Sequence, residues 1–301
     1  VLYASFWSKN IVKSTDGGRN WRPIMAGFPV TATFTGGTRF PLAIGHVSAA
    51  VSATLYTGFN WSDTDGQGHP STVWKSVDAG ETWKETNTEV VAGYCGGQCF
   101  YDNVIGVDPT DPDIVYALGQ FDYGNSSGGV YRSLDGGDHW VDIGYAMHPD
   151  YHGIAIRRDA PENVVIGNDG GVWRSASRGG RLRATDPITA NAWVNLNGKV
   201  DPQSGLVSAD YGLQITQFSS IAQHPSRVDR LYGGTQDNGS LIKDDDGHAW
   251  SDKAGGDGGN MLVDPENPDL VYSTEFGIQL FRNDDGMLGE FGRKRAVTTE
   301  T

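Results

Sequence analysis

The sequence predicts an all-β fold built from repeated four-stranded antiparallel units, and three observations carry that expectation. Glycine is abundant, 42 of 301 residues, and aromatics reach 11%, which fits short strands and tight turns better than packed helices. A Ser-x-Asp-x-Gly-x-x-Trp phrase recurs along the chain. A second phrase, strand then Pro-containing turn then strand, recurs ahead of it, so the chain is a repeat.

The first phrase reads as a hairpin turn. Ser14-Thr15-Asp16-Gly17-Gly18-Arg19-Asn20-Trp21 returns as Ser76-Val77-Asp78-Ala79-Gly80-Glu81-Thr82-Trp83 and as Ser133-Leu134-Asp135-Gly136-Gly137-Asp138-His139-Trp140. A partial copy, Asp245 to Trp250, keeps the Asp, Gly and Trp, and reduced copies follow Arg174 and Arg282. The carboxylate can accept turn amides, the glycine can take positive φ, and the Trp can return on the next strand to pack between sheets. Asp16, Asp78, Asp135 and Asp245, with Trp21, Trp83, Trp140 and Trp250, are therefore expected to be structural.

In the second phrase, Asn103 to Tyr116 matches Asn260 to Tyr272, with looser copies over 219–232 and 153–165. Each gives two strands around a turn. Adding the strand before each Asp turn and the strand after each Trp gives four strands, one blade of a β-propeller. The first blade starts on its second strand, at Leu2-Tyr3. The other first strands are expected near Val47–Val51, Asn103–Val107, Gly153–Ile156, Ser219–Ala222 and Asn260–Val263. The blades then span 1–45, 46–100, 101–151, 152–216, 217–256 and 257–301 of a single propeller domain. Residues 295–301 either complete the first blade or belong to a longer propeller. A start at Val-Leu-Tyr, with neither Met nor signal peptide, reads as a mature or trimmed product.

The charge narrows the partners. Lys and Arg total 23 against 37 Asp and Glu, a net charge of −14. Such a surface repels phosphate backbones, which disfavours nucleic acid and anionic membranes. No apolar run is long enough for a membrane helix. Cys95 and Cys99, four residues apart across two glycines, are expected to close a small disulfide loop in an oxidising compartment. Secreted, periplasmic and cell-surface locations all fit.

Candidate functional residues follow from the topology. In an up-and-down blade the Asp-Pro turns and the Ser-x-Asp turns share one face, which leaves the other for ligands. Aligning blades on Asp108, Asp159, His224 and Asp264 puts Tyr101, His152, Gln217 and Asp257 seven residues earlier, at the mouth of the central channel. The tips after the second strands add Asp169, Gln236-Asp237-Asn238 and Glu275, and a long insertion adds Trp61. Such a set suits sugar hydroxyls, by hydrogen bonding and ring stacking, although water-filled mouths are polar in any case.

The Ser-x-Asp-x-Gly-x-x-Trp pattern resembles the Asp-box, or BNR, repeat of β-propellers, over nearly the whole chain. The likeness is to large secreted bacterial BNR-repeat proteins in particular, through phrases such as Val165-Ile166-Gly167-Asn168-Asp169-Gly170-Gly171-Val172-Trp173. That superfamily includes sialidases, xyloglucan-hydrolysing enzymes, sortilin-type receptor domains and a photosystem assembly factor. The Arg-Ile-Pro segment that opens a sialidase arginine triad is missing. Similarity to the xyloglucanases implies an inverting mechanism with two Asp. Asp169 stands in the Asp-x-Gly-Gly-like phrase, and Asp257 or Asp237 would be its partner. Those enzymes use two propellers, whereas this chain offers at most one.

The resemblance thus implies a glycan- or protein-binding module or scaffold, with other domains or subunits as partners where the propeller is incomplete. The rival readings are an inverting glycoside hydrolase on neutral polysaccharide and a structural subunit of a cell-surface assembly. No cofactor is expected. Ca²⁺ is the one ion left open, through Asp63-Thr64-Asp65-Gly66-Gln67-Gly68 and Asp244-Asp245-Asp246-Gly247, neither of which has the closing Glu of an EF-hand.

Overall fold

The computed structural model describes residues 1–34, 37–45, 53–120, 128–144, 147–180, 192–197, 199–200, 207–208, 216–244, 250–275 and 279–288. The fold is all-β, a β-propeller of antiparallel blades whose strands pair in the order in which they occur in the chain. Among the described residues the only helical turn is the 3-10 segment Gly96–Gln98.

The chain divides into two compact units, Val1–Asn168 with Val172–Val194, and Asp169–Gly171 with Asn195–Thr301. The first unit opens with a three-stranded sheet, Leu2–Phe6, Asn10–Ser14 and Arg22–Pro23. Next come Ala43–Ile44, Leu55–Ser62, Gly68–Ser76 and Lys84–Glu85, then Val104–Val107, Val115–Leu118, Val130–Ser133 and Val141–Asp142. The fourth sheet is Tyr151–Ile156, Val164–Asn168, Gly171–Ser175 and Val194–Asn195. One boundary differs from expectation. The first strand of the second sheet is Ala43–Ile44, paired with Leu55 and Tyr56, and the expected Val47–Val51 lies outside the described residues.

The second unit contains Gln217–Gln223, Leu231–Gln236, Gly239–Lys243 and Ser251–Ala254, followed by Met261–Val263, Val271–Glu275 and Gln279–Asn283. A short pair, Lys199–Val200 with Val207–Ser208, precedes them. Asp245 and residues 295–301 lie outside the described residues.

The Ser-x-Asp turns show why the repeat has its sequence. In the first, the Asp16 carboxylate accepts the amides of Arg19 and Asn20 at 3.0 and 2.9 Å, while Ser14 Oγ accepts the amide of Gly18 at 2.9 Å. Asp78 and Asp135 repeat this on the amides of Thr82 and His139, with Ser76 and Ser133 on Gly80 and Gly137. The third and fourth residues after the serine are left-handed in each described copy: Gly17 and Gly18, Ala79 and Gly80, Gly136 and Gly137, Arg178 and Gly179. Such backbone favours glycine. The reduced copies keep the bond, the first through the same serine oxygen and the second through an asparagine in its place. Ser175 Oγ accepts the amide of Gly179 at 2.8 Å, and Asn283 Oδ1 accepts that of Met287 at 2.8 Å. Met287, like Gly286 before it, is left-handed.

Core packing lies between successive sheets. Ile11, Ile24 and Phe28 of the first sheet region pack with Leu55, Phe59, Trp74 and Trp83 of the second. Tyr56, Val73 and Tyr94 pack with Ile105, Val115 and Trp140, and Tyr116, Leu118 and Ile143 with Tyr151, Ile166 and Trp193. In the second unit Tyr232 and Ile242 meet Met261, Val271 and Met287. Trp21 departs from its expected packing role. The indole N–H donates to the Gly18 carbonyl of its own turn, and the residue stays 43% exposed.

Candidate functional site

In the second unit, three turns bring most of the predicted polar residues together. Gln217 and Gln236 are register partners at the end of their sheet, and both are exposed. The next residue, Asp237, has a left-handed backbone and donates its amide to Asp257 Oδ1 at 2.9 Å. Asn238 then donates its side-chain amide to the carbonyl of Asp169 at 3.2 Å. The Asp169 turn is itself tied down, since Asn197 donates to the Gly170 carbonyl at 2.9 Å. Asp169, Asp237 and Asp257, three candidates from separate stretches of sequence, thus border one hairpin tip.

Glycines make this approach possible. A Cβ on Gly234 would stand 1.7 Å from the Gly259 carbonyl oxygen. Ser219 Oγ bridges the same two segments by donating to the carbonyls of Gly234 and Gly258 at 3.0 and 2.7 Å. Glu275 belongs to the same surroundings, as a Cβ on Gly256 would lie 2.5 Å from its Oε1. Asp252, which the sequence reading passed over, lies beside Gly239. Desolvation pushes its carboxyl above the usual carboxylate value although much of the residue is exposed, and the amides of Ala254 and Lys253 pull the other way.

In the first unit, Tyr101 and His152 meet edge to face with ring centroids 4.5 Å apart. His152 sits where the strand register shifts between Tyr151 and Gly153, a bulge of the kind that re-aims a side chain. Its Nδ1 lies 3.5 Å from Oδ1 of Asp102, whose side chain is fully buried. Asp102 was not legible as a partner, because nothing in Tyr101-Asp102-Asn103 tells which side chain turns inward. Cys95 and Cys99 are disulfide-bonded just upstream.

The remaining candidates fare differently. The Trp61 indole stacks on the His69 ring at 3.7 Å and packs against the core, so one of its faces is already covered. The Asp63 carboxylate of the first Ca²⁺-like stretch is held by His69 at 2.9 Å and Thr31 at 2.8 Å. In the second stretch Asp244 pairs with Arg227 and Arg230, and the residues after it lie outside the described residues. Among the described residues no group of three or more His, Cys, Asp or Glu could hold a metal ion. No described helix is long and apolar enough to cross a membrane.

No protein-family model and no curated protein matches the sequence. Solved structures do. The GH74 xyloglucanase of Xanthomonas campestris aligns at 14% identity and a TM-score of 0.43, over 94% of this chain and 50% of that one. The GH74 enzyme of Niastella koreensis aligns at 15% and 0.43, over 95% and 50%. A YCF48 structure aligns at 11% and 0.35, over 93% and 75%. The chain spans about half the length of the GH74 enzymes it matches.

Proposed function

We propose that this chain is an extracellular carbohydrate-binding propeller module of the Asp-box kind, taking neutral saccharide at the tip of the Gln236-Asp237-Asn238 hairpin. The observation that supports this is the meeting of Asp169, Asp237 and Asp257 with the exposed amides of Gln217 and Gln236. Carboxylates that accept and amides that both donate and accept are what a set of sugar hydroxyls requires. A net charge of −14 turns the preference away from acidic sugars. The disulfide fits an oxidising compartment.

A second reading, inverting hydrolysis, is favoured by one feature. Inversion needs one protonated and one ionised carboxyl. Asp252, beside Gly239 at the foot of the same hairpin, has its carboxyl shifted upward by desolvation.

The test is titration calorimetry with cellohexaose and a xyloglucan oligosaccharide, run beside reducing-sugar release from the parent polysaccharides. The binding reading expects saturable heat without release, and weaker heat in Asp169→Asn and Asp257→Asn. Release that disappears in those variants would replace binding with hydrolysis. No heat from any neutral saccharide would overturn the proposal.

A further inference from the structure

We propose that Phe100 and Tyr101 form a second, aromatic saccharide subsite on the first unit, with His152 at its edge. The inference rests on the carbohydrate reading above and uses none of the residues of that hairpin tip.

Two consecutive aromatics stand open here. Phe100 is 48% exposed and Tyr101 43%, and their ring centroids lie 6.5 Å apart with planes 36° from parallel. Single exposed aromatics are ordinary on protein surfaces. These two differ in how firmly their backbone is held. They follow directly on the small loop closed by the Cys95–Cys99 disulfide, both of whose cysteines are buried. Gln98 accepts the amides of Tyr101 and Asp102 on its carbonyl at 2.7 and 2.8 Å. Arg39 donates to the Tyr101 carbonyl at 2.6 Å. Gly37 comes so close that a Cβ there would lie 3.2 Å from Phe100 Cβ.

His152 sets one side of the platform. Its ring meets the Tyr101 ring at 64°, and the carboxylate of buried Asp102 lies 3.5 Å from its Nδ1. The entropy of ordering the loop is thus met in folding, and a ligand that stacks on it loses little more. A pyranose fits this chemistry. Its C–H face lies on an aromatic ring while its rim of hydroxyls reaches polar neighbours. The acidity of the chain again favours a neutral sugar.

The experiment titrates cellohexaose and a xyloglucan oligosaccharide into wild type, Phe100→Ala, Tyr101→Ala, Tyr101→Phe and Asp257→Asn, with thermal unfolding as the check on folding. Tyr101→Ala and Phe100→Ala are expected to weaken binding roughly three- to tenfold, with Tyr101→Phe close to wild type. Addition of the sugar should also perturb the Phe100 and Tyr101 ring resonances. If the alanine variants and the ring resonances stay unchanged while Asp257→Asn weakens binding, the aromatic subsite is overturned and the hairpin-tip reading stands. If Asp257→Asn binds normally and Tyr101→Ala does not, the subsite stands alone. If wild type binds neither sugar, both readings fall.

Discussion

The indole N–H of Trp83 donates to the carbonyl of Ile24 at 2.8 Å, across the boundary between the first and second sheets. Trp193 does the same to Ile143 at 2.8 Å, between the third and fourth. Ile24 and Ile143 each lie three residues beyond the tryptophan of their own blade, Trp21 and Trp140. At these two boundaries one contact therefore serves both as blade-to-blade packing and as satisfaction of a buried polar group. The equally buried indole N–H of Trp140 has no hydrogen-bond partner among the described residues.

Trp83→Phe keeps most of the apolar surface and loses the hydrogen bond, so it should cost about 1 kcal/mol. Trp83→Ala also opens a cavity and should cost about 3–5 kcal/mol. Trp21→Ala, at the exposed position, should stay within about 1 kcal/mol of wild type. Urea unfolding of the three variants checks the order, and equal losses at Trp21 and Trp83 would refute it.

The turn carboxylates make stability fall in acid. Hydrogen bonds from the backbone and side chain of Asn20 and from Ser14 hold Asp16 down to about 2. For Asp78 burial pulls upward, but the Thr82 hydroxyl and amide and the Ser76 hydroxyl outweigh it and bring the group to about 2. Both depressed values mean stability that is present above the ordinary carboxylate value of 3.8 and lost as pH falls toward about 2. Asp78→Ala should lower stability at neutral pH by about 1–3 kcal/mol through its lost turn bonds. It should also flatten the acid limb of a Tm-against-pH curve. An unchanged melting temperature would remove the turn from the list of structural elements.

The third turn carries a titration of the opposite sense. His139 Nδ1 lies 2.7 Å from Asp135 Oδ2, and this contact raises the histidine. At Asp135 burial pulls upward, but the His139 amide and ring and the Ser133 hydroxyl outweigh it and lower the carboxyl. A raised histidine contributes stability below its ordinary value of 6.5 and loses it as pH rises through the raised one. The effect is small, because the His139 side chain is 85% exposed. Wild type should therefore lose a little Tm between pH 6 and pH 9 that His139→Asn does not lose. The same slope in both proteins would contradict the pairing.

How much of this was legible in the sequence depended on whether a local rule or a long-range contact decided it. The Ser-x-Asp turns were legible, since every partner lies within four residues and glycine marks the left-handed positions. Trp193 was not, because residues 181–191 separate it from the turn at Ser175–Gly179; only the likeness of Trp193-Val194-Asn195 to Trp140-Val141-Asp142 could have revealed it. Alignment on the Asp-Pro turns found His152 and Tyr101, whose contact follows from strand order. It did not find Asp102, Phe100 or Arg39, whose roles depend on burial and on chain segments distant in sequence. The trio Asp169, Asp237 and Asp257 was named for its turns, and their meeting depends on how close glycine lets the loops come.

That closeness gives the last prediction. Gly234 lies in the middle of Leu231–Gln236, where a Cβ would stand 1.7 Å from the Gly259 carbonyl oxygen and 3.0 Å from the Gly258 carbonyl carbon. The obstacle is backbone, which cannot swing aside as a side-chain end could. The loop must move, and Asp257, two residues before Gly259, must move with it. Gly234→Ala should therefore destabilise by about 2–3 kcal/mol, the upper part of the range for overpacking. It should also weaken any binding that depends on Asp257 by more than its stability loss accounts for when measured well below the Tm. Gly255→Ala, two residues before Asp257 and with no atom within 4 Å of the added Cβ, is the matched control. It should stay within about 0.5 kcal/mol of wild type. If Gly234→Ala were as stable as Gly255→Ala and bound as well, the tight seat of the Asp257 loop on the strand would be refuted.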